Sequence, residues 1–221
     1  MGDMALRPDL AGIAAGIAAP IISWSLSVVV IATWLGYDPV AQSISSLANA
    51  PLGWLQTVAF AISGLLGVAW AFGLSSVLGS TTRDRALVRG LLLIQAVIAL
   101  GFAILPTDPQ GAPTTLIGRL HLLDFYVYAV TMPLTLVILA LVMRRDPRWR
   151  AGVRPTLLAA GLVVVATALV PATLDGPLTP WLGLLERIYV AIPSVWQVAA
   201  GVTAWRLATG RTWSAALDEC V

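Results

Sequence analysis

Six long apolar runs, at about 10–34, 52–79, 86–105, 118–143, 153–173 and 182–208, constrain this chain more than any other feature. An α-helix needs about 20 mostly apolar residues to cross the hydrocarbon core of a bilayer, so six crossings consume most of the 221 residues. Only 11% of the chain is charged and 58% is hydrophobic, whereas about a quarter of a soluble domain is charged. A water-soluble globule is thereby excluded. Because lipid offers the backbone no hydrogen-bond partners, each run must satisfy its own peptide groups as helix. The expected fold is all-α: a polytopic membrane protein with six transmembrane helices in one bundle, forming a single domain over 1–221. Pro51, Pro155 and Thr179-Pro180 stand where helix starts tolerate proline or use a hydroxyl cap. The first run is too long for a cleaved signal and lacks a small-residue cleavage pattern, so it is expected to stay as the first helix.

Residue counts narrow the chemistry. One cysteine, Cys220, permits no intrachain disulfide or thiolate cage, and one histidine, His121, permits no three-histidine zinc site or bis-histidine haem. Lysine is absent, so no Schiff base can form on one. No metal and no cofactor are expected. Nor does the net charge of +2 point to nucleic acid, because the arginines lie beside helix ends. Arg7 precedes the first span; Arg83, Arg85 and Arg89 fill the second connection; Arg144, Arg145, Arg148, Arg150 and Arg154 fill the fourth; Arg206 and Arg211 follow the sixth span. These are eleven of thirteen arginines, and the positive-inside rule makes their side cytoplasmic. Both termini are then expected inside. Arg119 and Arg187 are the exceptions, both near outer helix ends.

The outward connections, about 35–51, 106–117 and 174–181, contain no arginine and are rich in Pro, Gly, Ser and Thr. In the first, Asp38 can cap, Pro39 can open a helix, and Val40, Ile44 and Leu47 repeat at helical spacing opposite Gln42, Ser43, Ser45 and Ser46. A short interfacial helix is expected there.

The segments SISSLANAPLGWLQTVAFAISGLLG, LPTDPQGAPTTLIGRLHLLDF and LLERIYVAIPSVWQVAAG resemble, in order and spacing, the domain-of-unknown-function family 998, bacterial six-span membrane proteins. The shared features are a Ser-rich loop before a small-residue second span, a PTDP turn with a GRLHLL entry to the fourth span, and a Glu-Arg pair opening the sixth. The resemblance implies the fold, the topology and a bacterial cytoplasmic membrane. It transfers no catalytic role.

Ionisable side chains inside a span are costly and usually face the bundle interior. Here they cluster at one depth. His121 and Asp124 lie three and six residues into the fourth span, Glu186 and Arg187 four and five into the sixth, which puts all of them about 5 to 9 Å below the helix ends. Asp38, Asp108 and Asp175 are in the loops above. At i and i+3, Asp124 can orient the His121 imidazole; Arg187 is expected to reach Asp124 or Asp108 while Glu186 faces a cavity. The structural alternative is an interhelical salt-bridge clamp. Trp34, Trp54 and Trp181, and at the other side Trp149, Trp205 and Trp213, suit the two interfacial belts. Trp24, Trp70 and Trp196 fall mid-span, at the depth of Ser23, Ser25, Ser27, Ser63, Gln95, Thr131 and Gln197, near Pro20, Pro133 and Pro193. Together they predict a pocket opening outward.

Two classes of function fit. The first is a cofactor-free acid-base enzyme of isomerase or cyclase type, acting on a lipophilic isoprenoid or polyketide that arrives from the bilayer. Glu186 or Asp124 would exchange the proton, His121 would be the partner base, and Arg187, Asp108, Arg119, Asp38, Trp24, Trp70 and Trp196 would bind. A Ser63–His121 hydrolytic pair fits less well, since AISG lacks a leading glycine and no oxyanion signature accompanies it. The second class is non-enzymatic: a transporter, channel subunit or lipid-binding membrane partner.

Overall fold

The computed structural model describes residues 8–109, 111–174 and 176–210; Arg7, Asp175, Arg211, Trp213 and Cys220 lie outside the described residues. Six helices long and apolar enough to cross a membrane account for most of them: α1 Leu10–Thr33, α2 Trp54–Val77, α3 Thr82–Ile104, α4 Leu116–Arg145, α5 Val153–Leu174 and α6 Leu182–Thr209. Among the described residues there is no strand. The apolar runs end where hydropathy ends, but the helices start where a side chain caps them. Thr81 accepts from the Asp84 amide and Thr115 from the Gly118 amide, so α3 and α4 begin before their first long apolar stretch. Asp9 caps α1 in the same way.

Each helix packs on its neighbour in chain order, and α6 closes back on α1, so the six form a ring. The tightest seam is α1 against α2. A Cβ placed on Gly12 would strike the Ala69 carbonyl and Gly73 amide, and one on Gly16 would strike the Trp70 ring. Small residues four apart on both helices let the backbones approach, the usual basis of helix association where no hydrophobic force acts between helices. Large apolar side chains such as Leu65, Val97, Leu158 and Val195 point away from the ring, as lipid contact requires.

The arginine-rich end is tied shut. Arg145 pairs with buried Asp84 at 2.9 Å and Arg148 with buried Asp146 at 2.8 Å; the Arg148 guanidinium holds the Asp146 carboxyl below the usual carboxylate range. The Val77 carbonyl, left over at the end of α2, accepts from Arg148 and from the Trp149 indole. Trp149 is therefore buried beneath this end, only 2% exposed, and does not join an interfacial belt.

At the opposite end the segment between α1 and α2 differs from the interfacial helix expected. Asp38 does cap the Val40 and Ala41 amides, and one helical bond follows, Gln42 N–H to the Asp38 carbonyl. The chain then turns into a short 3-10 helix, Ser45–Asn49. The reason lies in α6. Glu186 takes the Ile44 amide, Arg187 takes the Pro39 and Gln42 carbonyls, and the Tyr37 hydroxyl donates to the Ser43 carbonyl. The backbone groups that would propagate an α-helix are spent on α6 and on the Tyr37 side chain instead. The segment is a strap across the end of α6.

Candidate functional site

The ring encloses a cavity of about 190 Å³ walled by α1, α2, α3, α4, α6 and the strap. An apolar cavity of about 150 Å³ admits a benzene-sized molecule, so this one has room for somewhat more. Its walls are aromatic and uncharged-polar. The mid-span tryptophans Trp24, Trp70 and Trp196 all line it, with Phe60, Phe102, Phe125, Tyr128 and Tyr189. The polar groups are held by bonds between helices: Ser23 to Ser63 at 2.7 Å, Ser27 to Gln56 at 2.8 Å, Trp24 to Ser194 at 3.2 Å, and Gln197 to the Gly16 carbonyl at 2.9 Å. Such bonds join the helices and orient the walls at once. From Glu186 to Gln197 along α6 the cavity runs roughly 16 Å at 1.5 Å per residue.

Glu186 is the one carboxyl on this wall among the described residues. Its Oε2 accepts from the Ile44 amide at 2.7 Å and its Oε1 from the Ser45 hydroxyl at 3.4 Å. A carboxylate offers about four acceptor sites, so acceptor capacity remains toward the cavity. Arg187, one residue on, points elsewhere, as the 100° helical step demands. It does not reach Asp124 or Asp108. One guanidinium nitrogen donates to the Pro39, Gln42 and Gly183 carbonyls at 2.8 to 2.9 Å, the other to the Tyr37 hydroxyl, and the guanidinium lies 5.5 Å from the Tyr37 ring centre. Burial raises the Tyr37 hydroxyl above its ordinary value of 10.0, with Arg187 pulling the opposite way. Arg187 is the fastening of the strap.

His121 and Asp124 share a helix but not a bond. The imidazole Nδ1 is 2.6 Å from the Leu105 carbonyl; a carbonyl only accepts, so Nδ1 carries the proton and Nε2 is the free nitrogen. That bond, with Phe102 at 5.2 Å between ring centres, orients His121 in place of the carboxylate. Asp124 turns to α3, where its carboxyl packs on Gly101 and Oδ2 has no hydrogen-bond partner. It lines neither cavity. His121 faces a second cavity, about 210 Å³, whose wall also includes Ser43, Thr107, Phe125, Glu186 and Tyr189. Glu186, Phe125, Tyr189 and Ser45 line both spaces, and Phe125 touches Tyr189 with ring centres 5.9 Å apart.

The remaining candidates serve the loops. Asp108 accepts from the Thr115 amide and hydroxyl, both at 2.8 Å, which closes the PTDP turn onto the start of α4. Asp38 caps the strap, and Arg119 is exposed at the beginning of α4 and lines neither cavity. No ion pair joins α4 to α6 among the described residues, so the interhelical clamp is absent and its place is taken by bonds to the strap's backbone. Tyr37, Gln56, Phe125, Tyr128 and Tyr189 belong to the strap or the walls and are not candidates from sequence, and Ser45 is one only as part of the expected outer-loop helix. Phe125 and Tyr128 had a signal, their spacing with Met132 along one face of α4; Tyr37 and Tyr189 had none. No cluster of three or more His, Cys, Asp or Glu residues that could hold a metal ion occurs among the described residues.

The sequence model of one family, described as a protein of unknown function (DUF998), matches residues 17–203. No curated protein and no solved structure matches the chain.

Proposed function

We propose a function for this chain, which belongs to the DUF998 family of proteins of unknown function, from its cavity: it binds a largely apolar molecule within the bilayer and acts on it by proton transfer at Glu186. The single observation that carries this reading is one carboxyl set into a wall of aromatic and neutral polar side chains. Arginine distribution supports placing Glu186 and the strap toward the outside, with both termini cytoplasmic. Entry is from the lipid or outer-leaflet side, since the walls suit an apolar guest.

In this reading a protonated Glu186 gives its proton to one carbon of an alkene, leaving a carbocation faced by the rings of Tyr128, Tyr189 and Phe125, whose π-faces favour positive charge. Loss of a proton from the neighbouring carbon, or ring closure by a second double bond followed by that loss, returns the proton to the Glu186 carboxylate, directly or by way of Nε2 of His121, which then passes it back to Glu186. Atoms and electrons balance without a cofactor. The product is an isomer of the substrate. Isoprenoids and polyketide-derived alkenes are the substrate classes with suitable double bonds. Asp124, which lines neither cavity, is left with a packing role.

A binding or transport role is the second reading, and it too rests on one observation: both Glu186 oxygens already hold the strap. Glutamine separates the two, because an amide oxygen can still accept from Ile44 while the acid is gone. Lipid extracts from cells expressing wild type or Glu186→Gln, resolved by chromatography and mass, are expected to contain a pair of equal-mass compounds whose ratio depends on Glu186. If the variant folds and no such pair distinguishes it, catalysis is refuted and binding takes its place.

A further inference from the structure

The cavity's far end holds two polar groups with nothing to bond. Trp70 is 2% exposed and its indole nitrogen has no hydrogen-bond partner; Oε1 of Gln95 is buried and likewise unpartnered. Both residues line the cavity. Neither can turn away. Trp70 is pinned with its ring against Gly16 of α1, where a Cβ has no room, and the other end of the Gln95 amide donates to Thr135 on α4 at 3.0 Å. They sit within about a turn of each other in height, since Gly67, one turn before Trp70, lies opposite Ala96 of α3.

Buried polar groups are paired in more than about nine cases of ten, and inside a membrane no bulk water can serve them. Ser23, Ser63, Trp24, Ser194, Ser27, Gln56 and Gln197 of these walls show what pairing looks like here, each bonded across a helix seam; among the described residues the Tyr189 hydroxyl, at the Glu186 end, is the other buried wall group with no partner. Both atoms have almost no accessible surface as the walls stand, so a partner coming from the cavity that both residues line reaches them with a small shift of those walls. The donor of Trp70 needs an acceptor and the oxygen of Gln95 needs a donor; a hydroxyl is the small group that supplies both. A hydrocarbon supplies neither and an ether oxygen only the first.

We propose that the molecule held in this cavity carries a hydroxyl group, seated between Trp70 and Gln95 at the deep end. The inference rests on the binding reading above and names its ligand class: a lipophilic alcohol. Position follows from α1 and α6. Gly16 touches Trp70 and accepts from Gln197, which sets the deep pair level with Gln197, and Glu186 is roughly 16 Å higher along α6 at 1.5 Å per residue. The hydroxyl is thus an anchor remote from the carboxyl. Chemistry at Glu186 falls on the opposite, apolar end of the same molecule. An ordered water could make the same two bonds, and the competition between water and an alcohol is what an experiment can read.

The probes are the ten-carbon geraniol, geranyl methyl ether and the saturated hydrocarbon 2,6-dimethyloctane, added to the protein in nanodiscs and corrected for partition into empty nanodiscs. Geraniol is expected to bind about tenfold more tightly than the hydrocarbon, equivalent to 1.4 kcal/mol, with the ether between them. In protein labelled with nitrogen-15 at tryptophan, it should shift the indole N–H resonance that Trp70→Phe removes. Trp70→Phe and Gln95→Leu should each erase most of the preference of alcohol over hydrocarbon, whatever they do to the affinity for either alone. Equal binding of alcohol and hydrocarbon with the Trp70 resonance unmoved would overturn the hydroxyl anchor and leave the cavity's binding role standing. Binding of none of the three would overturn both. The wild-type series decides between these even where a variant fails to accumulate.

Discussion

Replacing Arg187 with alanine should release the strap without unfolding the ring. Its guanidinium donates to three backbone carbonyls and to the Tyr37 hydroxyl. The Gly183 carbonyl belongs to α6 itself, four residues back, so the strap depends on the bonds to Pro39, Gln42 and Tyr37. A hydrogen bond to a charged group is worth about 1.5 to 3 kcal/mol, but these share one side chain, and Pro39 is exposed enough for water to replace its bond. A net loss of about 3 kcal/mol is therefore expected, which at 1.4 kcal/mol per decade makes strap opening about a hundredfold more frequent. The assay is hydrogen exchange of residues 40–46, above all the Ile44 amide held by Glu186, because exchange of a protected amide tracks its opening equilibrium. Exchange there should accelerate about a hundredfold while α3 and α4 are unchanged. Arg187→Lys should recover only part of the protection, since an ammonium lacks the planar fork that reaches several acceptors. Unaltered exchange at Ile44 in Arg187→Ala, or equal acceleration across all helices, would refute the reasoning.

Two further outcomes follow from the same contacts. Because burial raises Tyr37 above 10.0, the folded strap favours the neutral phenol: its contribution is full below about pH 10, the unfolded value, and is lost as pH rises through the folded one. Protection at 40–46, taken relative to the intrinsic base-catalysed exchange rate, should fall in that alkaline range in wild type and stay constant in Tyr37→Phe. Gly16→Ala should lower the melting temperature by driving a methyl into the Trp70 ring, an overpacking cost of about 1 to 3 kcal/mol, whereas Gly90→Ala, with open space around it, should be neutral or stabilising by about 0.5 to 1 kcal/mol; thermal unfolding in one detergent compares them.

The spans were legible because lipid imposes one rule on every residue of a span, and the helices end within a few residues of the apolar runs. The mid-span tryptophans were legible for the same reason: an indole N–H at that depth must face something other than lipid, and Trp24, Trp70 and Trp196 all meet the cavity. The partners of the charged side chains were not. Spacing alone suggests Asp124 for His121 and an acid for Arg187, but backbone carbonyls of loops are equally good acceptors and leave no trace in residue type. Leu105 captured the imidazole and the strap captured the arginine. The interfacial helix is not confirmed, for a related reason. Of its apolar stripe Ile44 and Leu47 are buried but Val40 is exposed, and Ser45 and Ser46 of the opposite face are buried as well; its backbone bonds go to Glu186 and Arg187, 142 to 148 residues away in sequence.

The central claim is that the cavity between α1, α2, α3, α4 and α6 is a binding site for an apolar molecule. Native mass spectrometry of the protein released from its own membranes tests it most directly, comparing wild type with Ala99→Trp, which places an indole in the cavity from α3. The account predicts a discrete adduct of one lipophilic mass on wild type and on Glu186→Gln, absent from Ala99→Trp, at equal helical content. The same adducts on all three proteins, or none on any, would contradict it.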